Sequence, residues 1–543
     1  MSDPDATGNL PESYDAIVIG AGHNGLCLAA YLCRAGLSTL VVERRHEEGG
    51  GVNTEEPVRA GFRHNMHAQY MEFFDIMPMM SDFELGDLGL RAVKPDAQAG
   101  IVFPDDRPPI VLHRSELIEK TKKSIARYSK TDAQIYAELK KRADAMESVI
   151  AAGIYNPPSP ELVEGQGSVL EAVFGDLGIS ADFMLKSPRV VIDELFESPE
   201  LRTLLYRISV EWGAPVDESG LGAMFLSFVM WTIGNWKLCL GGTHSLAKAM
   251  TQACYRQGVD LLENALVERI LVDGKRAVGV GLRGGREIRA RQVVASNADL
   301  KQTLLEMVGP ENLSERWVRR AKAYRYGPSH VLGTFAFCLR EPPDYLAAQI
   351  DEDINKCFYT VVGFEGPDDM LRYIRDAYSG RLPKPAAGTW INTLWDQSQA
   401  PKGEHSAGGW YFFPPSSSLS NQEWAEIRLS FNDSFLTEWH KVAPNMTNDN
   451  VIAKRLYTPD QMEHKNLMRE GDFSNGEFSL DQLGANRPFP EASNYRTEID
   501  GLYLCGPSAA PGGGVHSACG YNAFKAIAQD LGLESPIVGS RGY

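Results

Sequence analysis

Positive charge is short in this sequence. Its 543 residues carry 54 Lys and Arg against 71 Asp and Glu, a formal net charge of −17. That balance argues against nucleic-acid binding and against broad electrostatic adhesion to anionic lipid, while a local apolar membrane contact and self-association stay open. Cysteine is sparse as well, with eight residues and no Cys-x-x-Cys spacing. A disulfide scaffold, a redox-active disulfide and a zinc knuckle are thereby excluded. The scattered thiols read as buried and free, which fits a reducing, cytoplasmic setting. Long apolar runs are missing: the most apolar stretch, residues 221–233 (LGAMFLSFVMWTI), is shorter than the roughly 20 residues that span a bilayer. It is expected to be a buried helix, or one wall of an apolar tunnel. Residues 1–12 lack the basic start and apolar run of a signal peptide and the Arg-rich face of a transit peptide, so a disordered leader is expected there.

Glycine, by contrast, is abundant and grouped. Residues 16–19 (AIVI) are apolar and partly β-branched, the pattern of a buried parallel strand. Gly20-Ala21-Gly22-His23-Asn24-Gly25 follows at once, then a helical pattern over 26–35, Gly36 at the place of a left-handed cap, and a second strand over 37–42 closed by Glu43. In this order Gly20 permits the tight turn, Gly22 lets backbone approach a pyrophosphate, and Gly25 lets helix and strand pack closely. Free N–H groups near Asn24 and Gly25 would hold the phosphates. Glu43 lies close to the roughly 20-residue separation expected of an acid that holds ribose hydroxyls. The whole context points to a dinucleotide. A second cluster, Gly49-Gly50-Gly51, comes soon after the acid. It resembles the pattern of flavoproteins of the glutathione-reductase-like superfamily, in which it contacts the FAD phosphates and ribityl chain.

Beyond residue 60 come His64, Asn65, His67 and Tyr70, polar or titratable groups in a segment brought past the cofactor. Two histidines three apart do not make a metal site without a third ligand, and no metal is expected. Residues 115–152 read as a long charged helix stopped by Gly153, and Pro157, Pro158 and Pro160 mark a loop. Residues 169–233 read as mainly helical. Strands are expected over 259–262, 265–272, 277–282 and 292–296, with a hairpin turn at Asp273-Gly274. A strand over 331–339, a helix over 422–442 and the cluster Trp410-Tyr411-Phe412-Phe413 follow. Those aromatics suit a core first, although a pocket for an apolar substrate would draw on the same residues. At the end, a strand over 501–505, a loop from Gly506 through Gly512-Gly513-Gly514 and a helix over 515–531 present a second glycine-lined helix start. Its N–H groups and dipole suit the carbonyl end of a reduced flavin. Two such helix starts at opposite ends of the chain fit one extended cofactor gripped at both ends.

Read together, the motifs IGAGHNGL…ERRHEEGG at 19–50, LWDQSQAPKGEH at 394–405, SLDQLGANRP at 479–488 and YRTEIDGLYLCGPSAAPGGGV…GYNA at 495–523 resemble the phytoene-desaturase-related flavoproteins. The resemblance is to the branch of pyridine nucleotide-disulphide oxidoreductase domain-containing protein 2. It implies an α/β architecture: a Rossmann-like FAD-binding domain assembled from residues 13–100, 236–305 and 495–543, with an inserted α+β substrate domain from 101–235 (mainly helical) and 306–494. It places Gly20, Gly22, Gly25, Glu43, Gly49, Gly50, Val267 (through its backbone, on the adenine side), Gly513, Gly514 and Val515 at FAD. Their loop neighbours His23, Asn24, Arg44, Gly51 and Gly506 join them. Two departures stand out. Ala509-Ala510 replace the Thr-His common before Pro-Gly-Gly, and His516 stands where small residues are usual, which implies a more polar site beside the flavin.

The implied activity is FAD-dependent desaturation of a C–C bond in a largely apolar substrate, such as a cyclic ketone or isoprenoid, by hydride transfer to flavin N5, with oxygen, a quinone or another acceptor taking the electrons. His516, His64, His67 and Tyr70 are the candidates for a proton-handling group; a hydride-only route through a carbocation needs none. A flavin amine oxidase shares the architecture, and so does a non-enzymatic binding protein of the GDP-dissociation-inhibitor type, against which the two intact glycine loops argue.

Overall fold

The computed structural model describes residues 10–159, 175 and 181–534. The leader expected over 1–12 falls mostly outside the described residues, as do Pro160, the first part of the helical block expected over 169–233, and the last residues of the 495–543 segment.

Two seven-stranded sheets organise the chain. In the first, Ser13–Ile19 lies between Thr39–Val42 and Glu287–Ser296, parallel to both. Asp260–Leu262 extends the sheet beyond Thr39–Val42. The long strand Glu287–Ser296 serves two partners along one edge. Its first half pairs antiparallel with the hairpin Val267–Asp273 and Arg276–Leu282, and its second half runs parallel to Leu502–Leu504. Five of these strands therefore end on the same side. Ile19 lies beside Val42 and Ser296, Ser296 lies beside Leu504, and Val42 lies beside Leu262. The segments that leave those carboxyl ends (20–24, 43–51, 297–299 and 505–514) all open onto one edge, where ligands of open parallel sheets bind.

The helix His23–Arg34 packs against His244–Gln257 and Ala518–Leu531. Close approach is required: a Cβ on Gly520 would lie 1.9 Å from the Asn24 carbonyl oxygen, and one on Gly25 would lie 2.2 Å from that of Gly20. Tyr31 stacks on Phe524 with ring centroids 5.3 Å apart.

The second sheet runs in the order Val451–Tyr457, Leu332–Leu339, His405–Phe412, Ala387–Trp390, Tyr359–Val362, Ala97–Ile101, Ile110–His113. Period-two alternation divides its aromatics between the faces. Tyr411 and Phe413 pack with Trp424, Phe431, Phe435 and Trp439 of the helix Asn421–Val442, whereas Trp410 and Phe412 face the other way, toward the helical layer and the first sheet.

Several sequence expectations need correction. Ala97–Ile101 and Ile110–His113, placed by sequence in the cofactor segment and in a mainly helical one, pair with each other and join the second sheet through Tyr359–Val362. Both are buried throughout, so they lack the alternation that marks a strand. The helix expected over 115–152 is three helices, Ile118–Ile125, Lys130–Ala145 and Glu147–Ile154. Ser129 restarts it by accepting the Asp132 N–H (3.0 Å) as an N-cap. The helix expected over 515–531 begins only at Ala518, because Ser517 adopts a left-handed conformation (φ 57°). Residues 221–233 form the helix Gly222–Ile233, with Val229, Met230, Trp231 and Ile233 buried. No helix of the described residues is long and apolar enough to cross a membrane.

Candidate functional site

A cavity of about 270 Å³ runs along the carboxyl edge of the first sheet. At one end Gly20 takes a left-handed turn (φ 94°) and its N–H donates to the Val42 carbonyl (2.8 Å), so the turn folds back over the second strand. The Glu43 carboxylate is held from both sides: Oε2 accepts the Ala21 N–H and Oε1 accepts the Arg45 N–H, each at 2.8 Å. Each oxygen keeps a lone pair for a ligand hydroxyl. The helix His23–Arg34 starts without a side-chain cap and without acidic residues in its first turn, so its N–H groups are left for an anion. Ile19, Gly20, Gly22, His23, Asn24, Glu43, Arg44 and Val267 all line this end.

The second glycine cluster is built onto the first. Gly49 N–H donates to the Ala21 carbonyl (2.8 Å), and a Cβ on Gly50 would lie 3.1 Å from the Gly22 Cα. Gly50 and Gly51 line the cavity; Gly49 sits behind them, in contact range of Val52 and Ala247. The closing loop arrives from the far end of the chain. Gly513, Gly514 and Val515 line the wall, and the Gly514 carbonyl accepts from His23 Nε2 (3.1 Å), which fixes the proton of His23 on that nitrogen. Gly25 and Gly506 lie outside the wall and act in support, since a Cβ on Gly506 would sit 2.8 Å from the Asn297 carbonyl oxygen.

The other end is aromatic. Tyr70, Trp212, Trp410 and Phe473 line it, with Tyr70 and Trp212 ring centroids 6.0 Å apart and Trp410 and Phe473 5.9 Å apart. His67 stands between the glycine cluster and Phe473, its centroid 5.3 Å from that ring. Burial holds His67 down at about 3 and pushes the Tyr70 hydroxyl well above its usual range, so both are neutral.

Two of the four histidine and tyrosine candidates are elsewhere. His64 is buried away from the cavity, with Nε2 3.1 Å from the Phe337 carbonyl oxygen, and links the segment to the second sheet. His516 Nδ1 accepts the Ala518 N–H (3.0 Å), and its backbone carbonyl accepts from the Tyr155 hydroxyl (3.0 Å). It caps the last helix and lies beneath the closing loop rather than in the wall. Burial holds it at about 3.

Sequence reasoning missed several wall residues. Asn297 is the largest omission: its side chain packs under Gly20, Gly22 and Gly25, with Nδ2 donating to the Gly20 carbonyl (3.3 Å). Its signal was present, a polar residue directly after a parallel strand. Asp299, Glu72, Glu211, His330 and Asn466 are further wall residues without any motif. Glu211 pairs with Arg207 (2.6 Å), both side chains fully buried, and accepts from the Tyr359 hydroxyl. Unpaired buried polar atoms gather on this wall, including Asn24 Oδ1, Gln69 Oε1 and Trp410 Nε1. Such atoms are rare inside proteins and mark a place where a ligand supplies the partner. Among the described residues no group of three His, Cys, Asp or Glu side chains is placed to hold a metal ion.

Comparison with known proteins agrees with this geometry. Residues 18–83 match the model of the NAD(P)-binding Rossmann-like domain. The chain is 32% identical to one of the subunits of limonene dehydrogenase from Castellaniella defragrans, over 96% of this chain and 95% of that protein. It is 29% identical to pyridine nucleotide-disulfide oxidoreductase domain-containing protein 2 of Mus musculus, over 97% and 95%. It is 26% identical to the lycopene-forming phytoene desaturase of a Paracoccus species, over 96% and 97%. Among solved structures, putrescine oxidase bound to putrescine shares the fold with a TM-score of 0.58 at 14% identity, over 96% of this chain and 99% of that one.

Proposed function

The chain belongs to the phytoene-desaturase-related family of FAD-dependent oxidoreductases, and on that premise we propose that it binds FAD along the cavity and desaturates a C–C bond of a largely apolar substrate at the aromatic end. The observation that carries this is the continuity of one wall, from the Gly20–Glu43 end through the Gly50–Gly514 middle to Tyr70, Trp212, Trp410 and Phe473.

The residues fit the cofactor. Gly22 lines the cavity with bare backbone, where phosphates would need it, and has no room for a side chain while Asn297 keeps its place, since a Cβ would lie 2.8 Å from Asn297 Nδ2. Glu43 would hold ribose hydroxyls through its free lone pairs, and the loop Gly513–Val515 would lie against the ring system. FAD, when bound, supplies the two-electron acceptor. The reaction breaks two neighbouring C–H bonds, one giving up a hydride and the other a proton, which His67, a neutral nitrogen base of the wall, would take from the dry site and pass outward, and a C=C bond forms. Turnover then needs an external acceptor such as oxygen or a quinone. The wall's part is to exclude water and to orient the apolar skeleton between aromatic faces. His67 and Tyr70 are its neutral polar groups; neither is a strong base, which favours a substrate whose own chemistry eases loss of the proton.

The test is anaerobic reduction of the purified, FAD-loaded protein by a panel of cyclic ketones, polyenes and amines. Bleaching of the flavin by a ketone or polyene, with a product two hydrogens lighter, is expected. Bleaching by amines alone, with steady hydrogen peroxide in air, would make it an amine oxidase. A protein unable to take up FAD would return it to the class of binding proteins.

A further inference from the structure

The aromatic end of the cavity is not apolar throughout. Glu72 lines it at 6% exposure, and among the described residues no other side chain pairs with its carboxyl. Its position is fixed from both sides. Met71 exchanges backbone hydrogen bonds with Lys237 (2.9 and 3.1 Å), and Phe73 packs edge-on against His516 (5.4 Å) and Trp212 (6.2 Å). Around the same end, the donors Trp212 Nε1 and Trp410 Nε1 and the acceptors Glu211 Oε2 and Gln69 Oε1 are buried without partners. A plain hydrocarbon seated here would leave every one of them unpaired, and each such loss counts against binding. A carbonyl oxygen would take up the donors among them, the two indole N–H groups.

The kind of oxygen follows from what the wall offers. Burial pushes the Glu72 carboxyl up to about 8, and no charged group compensates it. The titratable groups on the same wall are Tyr70, His67, His330 and Glu211. Burial keeps the first three neutral, and Glu211 is bound to Arg207 behind it. A neutral Glu72 donates a hydrogen bond, as the two indole N–H groups do.

We propose that Glu72 is the donor of a subsite for a carbonyl oxygen, so that the natural substrate is a ketone on an apolar ring or chain rather than a bare hydrocarbon. The proposal rests on the C–C desaturation argued above and names the functional group its substrate carries. A neutral carboxyl donating to C=O in a dry site draws charge onto that oxygen and acidifies the neighbouring C–H. That supplies the ease of proton loss which the wall's weak bases do not.

Matched sets of ketone, alkane and amine on cyclohexyl, menthyl and decalyl skeletons test it on the FAD-loaded protein, read by perturbation of the flavin spectrum and by thermal shift. The ketone of at least one set is expected to bind about tenfold tighter than its alkane. Glu72→Leu should remove the ketone's advantage over its alkane, and Glu72→Gln, which keeps a donor, should retain most of it. Equal binding of ketone and alkane to the unmodified protein would overturn the subsite while desaturation of the alkane left the broader function standing. A Glu72→Leu protein that keeps the full ketone preference would overturn the role of Glu72. Oxidation of the amines with the ketones inert would overturn both the subsite and the desaturase function.

Discussion

His23 and Gly514 are 491 residues apart in sequence and share a hydrogen bond of 3.1 Å. It ties the start of the first helix to the last glycine loop, so that the chain's two glycine-rich segments form adjoining parts of one wall. The bond needs a proton on His23 Nε2, and burial, which holds this histidine at about 4, leaves the ring neutral with that proton in place.

Gly22 tests the nucleotide end. A side chain there points at the Asn297 amide, 2.8 Å from Cβ, the end of a side chain that can shift. Gly22→Val is therefore expected to fold, with its melting temperature within a few degrees of the parent, yet to lose at least about tenfold in FAD affinity. Flavin released on denaturation, set against protein concentration, gives the occupancy.

His516 caps a helix, and its replacement should behave accordingly. His516→Ala is expected to cost roughly 1 kcal/mol for the lost cap, and more for the space left behind. The turnover of the folded fraction should change by less than about threefold, whereas loss of a proton-transfer residue lowers rate by 10²–10⁴. Chemical denaturation and single-turnover flavin reduction separate the two.

Acid should loosen the fold in a defined window. His23 and His64 are held at about 4, and His67, His330 and His516 at about 3, against 6.5 when exposed. Between those values the unfolded chain binds more protons than the folded one, so stability falls as pH drops below 6.5. Each histidine contributes up to about 1.4 kcal/mol per pH unit until its folded value is reached. Glu72 acts on the other side: its carboxyl, raised from 4.5 to about 8, withdraws stability as pH climbs through that interval. Melting temperature against pH checks both. Glu72→Gln should remove the decline between pH 4.5 and about 8 and leave the histidine-driven loss below 4.5 as it is.

The Arg207–Glu211 pair is fully buried at 2.6 Å. Arg207→Leu leaves a carboxylate without its cation and is expected to cost about 3–5 kcal/mol. Adding Glu211→Gln should recover much of that loss, since the burden is the uncompensated charge. Urea unfolding of the single and double variants measures the coupling.

The legible parts of the molecule were those in which local chemistry and final position coincide. Gly20, Gly22, Gly25 and Glu43 act within one strand–helix–strand unit, and spacing alone places them. Gly513 and Gly514 could be paired with them because both loops are glycine-rich and lead into a helix. Ala97–Ile101 was illegible as a sheet strand because both its faces are buried and no alternation survives. Ser129 was a cap signal that went unread inside a charged run. Glu72, Glu211 and His330 carry no motif: they meet only after the second sheet and the helical layer close on the first, and isolated acids and histidines in sequence look like surface residues. His516 drew notice as an unusual residue at the right loop, but its Nδ1 serves Ala518, a use that depends on Ser517 bending the backbone.

The most direct measurement is a crystal structure of the protein purified with FAD bound. Density for one FAD is expected, with its adenosine ribose hydroxyls within hydrogen-bond distance of Glu43, its phosphates against Gly22 and Gly50, and its ring system against Gly513–Val515. A flavin ring seated away from Gly513–Val515, or separate molecules at the Glu43 and Gly514 ends, would contradict the account.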